Sequence, residues 1–198
     1  MLSLGEGTSA VKTARYVIEE YVRTGAVPKV RLSKAFERPG GVFVTLNIDH
    51  ELRGCIGYPS PIEGMTLGEA LVDAAVSAAT RDPRFPMVRT QELGKIRIEV
   101  TILTEPVLLK GKATERPQHI KVGRDGLIVE HGPYKGLLLP QVPVEWGWDA
   151  TEFLENTCIK AGVAPNSWVD DKTKVYTFSG QIFEERGPSG DVVEKKIG

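Results

Sequence analysis

Cysteine is nearly absent: Cys55 and Cys158 are the only two in 198 residues, too few for the disulfide scaffold of a small secreted domain. Histidine is also scarce. His50, His119 and His131 are scattered among loops without H-x-x-x-H or C-x-x-C neighbours, so neither a metal site nor a cofactor is expected. No charge of one sign prevails, and the formal net charge of −1 gives no global field for nucleic acid or an anionic membrane. No apolar run approaches the ~20 residues of a membrane span. The start, Met1 to Ala10, has neither a basic stretch nor an apolar run. No signal peptide is therefore expected, and a reduced cytoplasmic setting is the natural reading. Two phosphate-binding patterns, G-x-x-x-x-G-K-[ST] and G-x-G-x-x-G, are missing as well.

What is present suits a folded α+β protein. Hydrophobic residues make up 41% and charged residues 26% of the chain, ordinary values for a globular domain. An apolar stripe predicts a helix over 8–24, capped by Thr8 or Ser9 and stopped by Gly25. Val42, Val44, Leu46 and Ile48 alternate with Phe43, Thr45 and Asn47, a strand pattern. With Leu52 to Tyr58 it makes a hairpin turning at Asp49, His50 and Glu51. Thr66 and Glu69 form a capping box before a helix. A turn, Arg81 to Pro86, and an alternating strand, Ile96 to Ile102, follow. The order repeats: strands 126–130 and 135–139, a loop Pro140 to Trp148, a helix opened by Asp149 with Glu152, and a last strand over 174–183. This predicts one domain over 1–185 with two related lobes, about 8–104 and 105–185. The run Gly187-Pro188-Ser189-Gly190 breaks the pattern, so 186–198 reads as a loose tail.

Chemistry has few places to sit. In Arg53-Gly54-Cys55-Ile56-Gly57 the two glycines let backbone approach a ligand or another chain segment. Cys55 can be a nucleophile if its pKa is lowered, or a small buried hydrophobe, the commoner fate of a free cysteine. The loop Gly57 to Gly64 and the helix after it offer amides and a dipole to an anion. Arg53, Arg81 and Arg84 would add bidentate donors if the fold joined them; otherwise they are solvated charges beside a connector. Asp82 can stabilise the turn before Pro83 or act as an acid/base. Glu99 faces away from Ile98 and Val100, toward solvent or a cleft. Cys158 lies on the core stripe of its helix.

The six residues Leu52-Arg53-Gly54-Cys55-Ile56-Gly57 resemble the signature of the AMMECR family. The likeness continues through Asp82-Pro83-Arg84-Phe85, Ile98-Glu99-Val100, Gly126-Leu127-Ile128, Leu139-Pro140-Gln141, Phe153-Leu154 and Lys160-Ala161-Gly162, about residues 8 to 185. The resemblance implies two β-β-β-α-α type repeats sharing one barrel-like, mainly antiparallel sheet. It implies no established activity. It does imply a functional link to Memo-type and radical-SAM proteins.

The resulting expectation is an enzyme acting on a small molecule or modified residue in a cleft around Leu52–Gly57. Cys55, Glu99 and Asp82 would be its catalytic groups. Arg53, Gly54, Gly57, Arg81 and Arg84 would bind the ligand. The alternative is a non-catalytic ligand-binding or adaptor protein using the same cleft.

Overall fold

The computed structural model describes residues 2–195. In chain order its regular elements are α1 (Leu4–Thr24), β1 (Gly41–Ile48), β2 (Glu51–Tyr58), α2 (Leu67–Thr80), β3 (Arg97–Leu103) and β4 (Val107–Leu108). They continue with β5 (Asp125–His131), β6 (Tyr134–Leu138), α3 (Gln141–Trp146), α4 (Ala150–Lys160), β7 (Lys174–Glu185) and β8 (Val192–Lys195). The fold is α+β. Its β1–β2, β1–β3, β5–β6, β4–β7, β5–β7 and β7–β8 pairings are all antiparallel. Two compact units result: one runs to Leu103 and resumes at Gln181, and the other is Thr104–Gly180. Among the described residues no helix is long and apolar enough to cross a membrane.

In the first unit α1 and α2 cover one face of the β1–β2–β3 strands. Val42, Val44 and Leu46 point into that core with Ile98, Val100 and Ile102, as period-two alternation dictates. They meet Ala10, Ala14, Val17 and Ile18 of α1, and Leu71, Ala74, Ala75 and Ala78 of α2. Gly54 is a spacing residue: a Cβ there would stand 2.2 Å from the Ala78 carbonyl oxygen. Arg15 of α1 grips Glu185 with two contacts of 2.6 Å and donates to the Ile96 carbonyl at 2.7 Å. Glu185 also accepts the Ile98 amide at 2.9 Å. This buried pair has its remaining oxygens and protons satisfied, the condition for carrying charge inside a fold.

The second unit packs Phe153, Leu154 and Cys158 of α4 on Leu127, Val129 and Val175. Its hairpin turns at Gly132, with φ +58°, followed by Pro133. Gly136 repeats the spacing device, since a Cβ there would be 2.4 Å from the Ala161 nitrogen.

Several elements depart from the sequence reading. Helix α1 begins before residue 8, because Ser3 and Glu6 form the capping box. Thr8 instead donates to the Leu4 carbonyl within the helix. The Pro140–Trp148 segment contains the short helix α3. The expected loose tail from 186 is largely structured. Gly190 donates to the Gly187 carbonyl at 2.9 Å, making a turn that returns β8 onto β7. The same Gly and Pro residues that read as a break also suit a tight turn. The last residues of that expected tail, 196–198, lie outside the described part.

The β1–β2 turn puts Asp49 at φ +50° and His50 at φ +68°, a two-residue connection that favours glycine. His50→Gly is expected to raise stability by about 1 kcal/mol, the order of the left-handed penalty for a side-chain-bearing residue. Denaturant unfolding of the two proteins measures it, and a lower midpoint for the variant would contradict the strain.

Candidate functional site

Strand β2 lies at the end of its sheet, so one side of its backbone has no strand neighbour. At Cys55 the Asp82–Arg84 turn takes that place. The Cys55 amide donates to Asp82 Oδ2 at 2.8 Å, and Arg84 Nη2 donates to the Cys55 carbonyl at 3.3 Å. Asp82 and Arg84 hold each other through contacts of 2.9 and 2.7 Å. Asp82 Oδ1 also accepts the Arg84 backbone amide at 3.1 Å. The ion pair therefore presents an acceptor and a donor to the strand edge, much as another strand would.

Phe85 continues the turn. Its ring centroid lies 5.9 Å from the Arg53 guanidinium and 5.5 Å from that of Arg84, within cation–π range. Arg53 falls at a bulge where Gly54 pairs with Leu46 but Leu52 pairs with Asn47. A bulge re-aims its extra side chain. Arg53 reaches Glu92 with contacts of 2.7 and 3.2 Å.

Cys55, Thr45 and Glu99 sit opposite one another across β2, β1 and β3, and so share the sheet face opposite the helices. Thr45 Oγ1 is 3.2 Å from the Cys55 sulfur. Glu99 receives Lys195 Nζ at 3.1 Å, and Lys195 also lies 3.6 Å from Glu184. Burial pushes the half-buried Cys55 thiol above its ordinary pKa, although Thr45 and Arg84 pull the other way. Asp82 is nine-tenths or more buried, and its hydrogen bonds from Arg84 hold it well below the carboxylate range. At neutral pH the site thus contains a thiol in its weakly nucleophilic form and a carboxylate committed to its charge.

The expected three-arginine anion cradle does not form. Arg53 meets Glu92, Arg84 meets Asp82, and Arg81 meets Asp73 on α2 at 2.8 Å. Glu92 in the segment before β3, Asp82 in the turn after α2 and Asp73 on α2 each neutralise one guanidinium, so the three do not converge on a free anion site. Gly54 and Gly57 are accounted for by contact: a Cβ at Gly57 would lie 2.2 Å from the Val42 carbonyl oxygen and 2.6 Å from Phe43 Cγ. Among the described residues no cluster of His, Cys, Asp and Glu suits a metal ion.

A large concavity of this unit lies elsewhere, across α2 from the sheet. A groove of about 730 Å³ runs between α1, the 27–37 segment and α2. Its walls include Tyr21, Val30, Leu32, Phe36, Val72 and Val76, with Met87 at its rim and Glu37, Glu69, Asp73 and Arg81 as charged members. Glu69 is bound to the Thr66 cap. Asp73 accepts from Tyr58, Ser77 and Arg81. Burial works against the Asp73 charge, but the Tyr58 and Arg81 hydrogen bonds outweigh it and lower its pKa. Glu37 has no side-chain hydrogen bond among the described residues, and the Arg81 side chain is 58% exposed.

No element is assigned to residues 27–37 from the sequence, and this groove is not legible in its patterns. The signal was there in Val27, Val30, Leu32 and Phe36, apolar residues without helical or strand periodicity. Thr45, Glu92 and Asp73 were also missed, because each matters only through a partner distant in sequence.

Comparison with known proteins gives a consistent picture. The AMMECR1 family model matches residues 11–183. A Methanocella arvoryzae protein is 71% identical across the full length of both chains. Protein MJ0810 of Methanocaldococcus jannaschii is 52% identical over all of this chain and 98% of its own. The crystal structure of the uncharacterized protein PH0010 from Pyrococcus horikoshii has a TM-score of 0.89, with 50% identity and 98% of each chain covered.

Two measurements check the geometry. Asp82→Asn should cost about 2–3 kcal/mol at pH 7, since a buried, charge-assisted contact is lost. Because the folded pKa is depressed, the contribution is present above the unfolded Asp value of about 3.9 and disappears as pH falls. The gap between wild type and variant in urea unfolding should therefore narrow below about pH 4; a constant gap would dissociate Asp82 from the charge effect. Alkylation should mark Cys55 slowly at pH 8 and accelerate only above the pH at which denatured cysteine does. Fast native labelling at pH 7, absent in Cys55→Ser, would instead reveal an activated thiol.

Proposed function

The chain belongs to the AMMECR1 family, and from that premise we propose that it is a non-catalytic binding protein whose groove along α2 takes a small, largely apolar molecule. One observation carries the reading: a groove of about 730 Å³ whose aliphatic and aromatic walls are bordered by four charged side chains, Glu37, Glu69, Asp73 and Arg81. That size and lining are typical of small-molecule sites. Glu37 is the carboxylate left free to meet a basic or hydrogen-bond-donating group, because Glu69 and Asp73 are engaged. The ligand class is accordingly an apolar body bearing an amine. The burial that raises the Cys55 thiol pKa and the ion pair that holds the Asp82 charge favour binding over catalysis at the signature.

A second reading keeps the signature as a reaction site. The row Cys55–Thr45–Glu99 supports it by bringing a thiol, a hydroxyl and a carboxylate onto one sheet face. In this reading Arg84 orients the Cys55 backbone rather than a substrate. The functional link to Memo-type and radical-SAM proteins belongs to either version, as a partner proposal. So does the view of the chain as one domain with two related repeats on a barrel-like sheet. Its support is that both hairpins carry a glycine against the backbone of a packed helix or its cap, Gly54 against Ala78 of α2 and Gly136 against Ala161 at the end of α4.

A thermal-shift panel of aliphatic and aromatic amines, with alcohols and carboxylates of matched length, tests the binding role. An amine present at 100 times its dissociation constant adds about 2.7 kcal/mol, or about 5–10 °C for a chain this size. Met87→Trp, which fills the groove mouth, should abolish the shift, and Glu37→Gln should remove the preference for amines. No stabilisation by any member, or an unchanged shift in Met87→Trp, would refute the proposal.

A further inference from the structure

We propose that a second, smaller hollow at the β1–β2 hairpin end binds a free oxyanion of phosphate size, inorganic phosphate or a small phosphomonoester. The hollow measures about 140 Å³ and is lined by Asn47, Asp49, His50, Lys95, Arg97 and Arg186. At ~30 Å³ per water, this is the liquid volume of roughly four to five waters. That volume is enough for a tetrahedral anion.

Charge points to the same occupant. Lys95, Arg97 and Arg186 face a single carboxylate, Asp49, in this hollow. Three cations against one carboxylate leave two net positive charges among these four side chains, matching a phosphate dianion. These cations differ from the arginines discussed above. Arg15, Arg53, Arg81 and Arg84 each sit within 2.8 Å of a carboxylate oxygen. Among the described residues none of Lys95, Arg97 and Arg186 has a carboxylate within 4.0 Å. Arg97 is also half-buried, opposite Asn47 in the β1–β3 register. A guanidinium partly stripped of water and lacking a counter-ion gains from an anion. Two arginine forks can grip separate edges of one phosphate, and the Asn47 amide supplies a further donor.

The hairpin turn places two of the lining residues. Asp49 and His50 occupy positive φ, where asparagine–glycine would connect the strands with less strain. The strained turn carries both side chains into the lining of the hollow.

The same phosphate chemistry occurs on a lipid headgroup, so the experiment has two arms. The protein is titrated with inorganic phosphate by NMR, and separately with phosphatidylcholine vesicles containing phosphatidic acid. Saturable shifts at Asn47, His50, Arg97 and Arg186 are expected with phosphate, weakening as chloride rises. Arg97→Gln and Arg186→Gln should each weaken binding roughly tenfold, the loss of a charge-assisted contact. Lys172→Gln, which removes the same charge elsewhere, should not. Arg186 is exposed, so its variant tests the site without disturbing the core. Absence of a saturable phosphate response, equal weakening by Lys172→Gln, or vesicle binding without phosphate binding would each overturn the proposal.

Discussion

A strand at the edge of a sheet must find partners for backbone groups that face away from its neighbour. At Cys55 of β2 that demand is met by Asp82 and Arg84, which offer an acceptor and a donor 27 and 29 residues along the chain. The solution constrains its surroundings. Asp82 must remain ionised to hold both the amide and the guanidinium, and it is buried while doing so. Its charge is tolerable because every strong contact it makes is to a donor. Pro83 limits the turn between the two side chains, and the Phe85 ring centroid then lies 5.9 and 5.5 Å from the Arg53 and Arg84 guanidinium groups. The residues that look most chemical in the sequence therefore close an exposed sheet edge.

Close approach is the second constraint. Gly54 permits α2 to set the Ala78 carbonyl against β2, and Gly57 permits Phe43 to lie over the same strand. Neither glycine needs a positive φ; what each lacks is a side chain. A glycine can signal backbone proximity to a ligand or to the protein itself, and here the neighbouring atoms are the protein's own. This explains why the signature looks like a binding loop although its contacts are mainly architectural.

Local patterns were legible where local physics decides structure. Alternation located β1 and β3, and the reciprocal Thr66–Glu69 and Asp149–Glu152 contacts located α2 and α4. The same capping rule would have found Ser3 and Glu6, but the apolar stripe drew attention to a later start. Pairing over distance was not legible. No pattern joins Arg53 to Glu92 or Arg81 to Asp73, so three nearby arginines suggested an anion site that the fold does not make. The 27–37 segment failed for the converse reason. Its apolar residues are irregularly spaced, and only α1 and α2 turn them into the wall of a groove.

Helix α2 is where these features meet. On its inner side Gly54 removes the slack between helix and strand, so a shift of α2 would press directly on β2. Tyr58, at the end of β2, reaches Asp73 on α2, while the turn after α2 brings Asp82 to Cys55. Helix and strand are thus joined through close backbone approach at Gly54 and through side-chain contacts of Tyr58, Asp82 and Arg84. The groove uses the other side of the same helix, where Asp73 and Arg81 form part of its polar rim. Arg81 and Asp82 are consecutive, yet one borders the groove and the other secures the strand edge. This arrangement gives α2 a rigid attachment on one side while leaving its other side available for recognition. The stiffness comes from contacts that cannot lengthen without exposing a buried charge or opening the core.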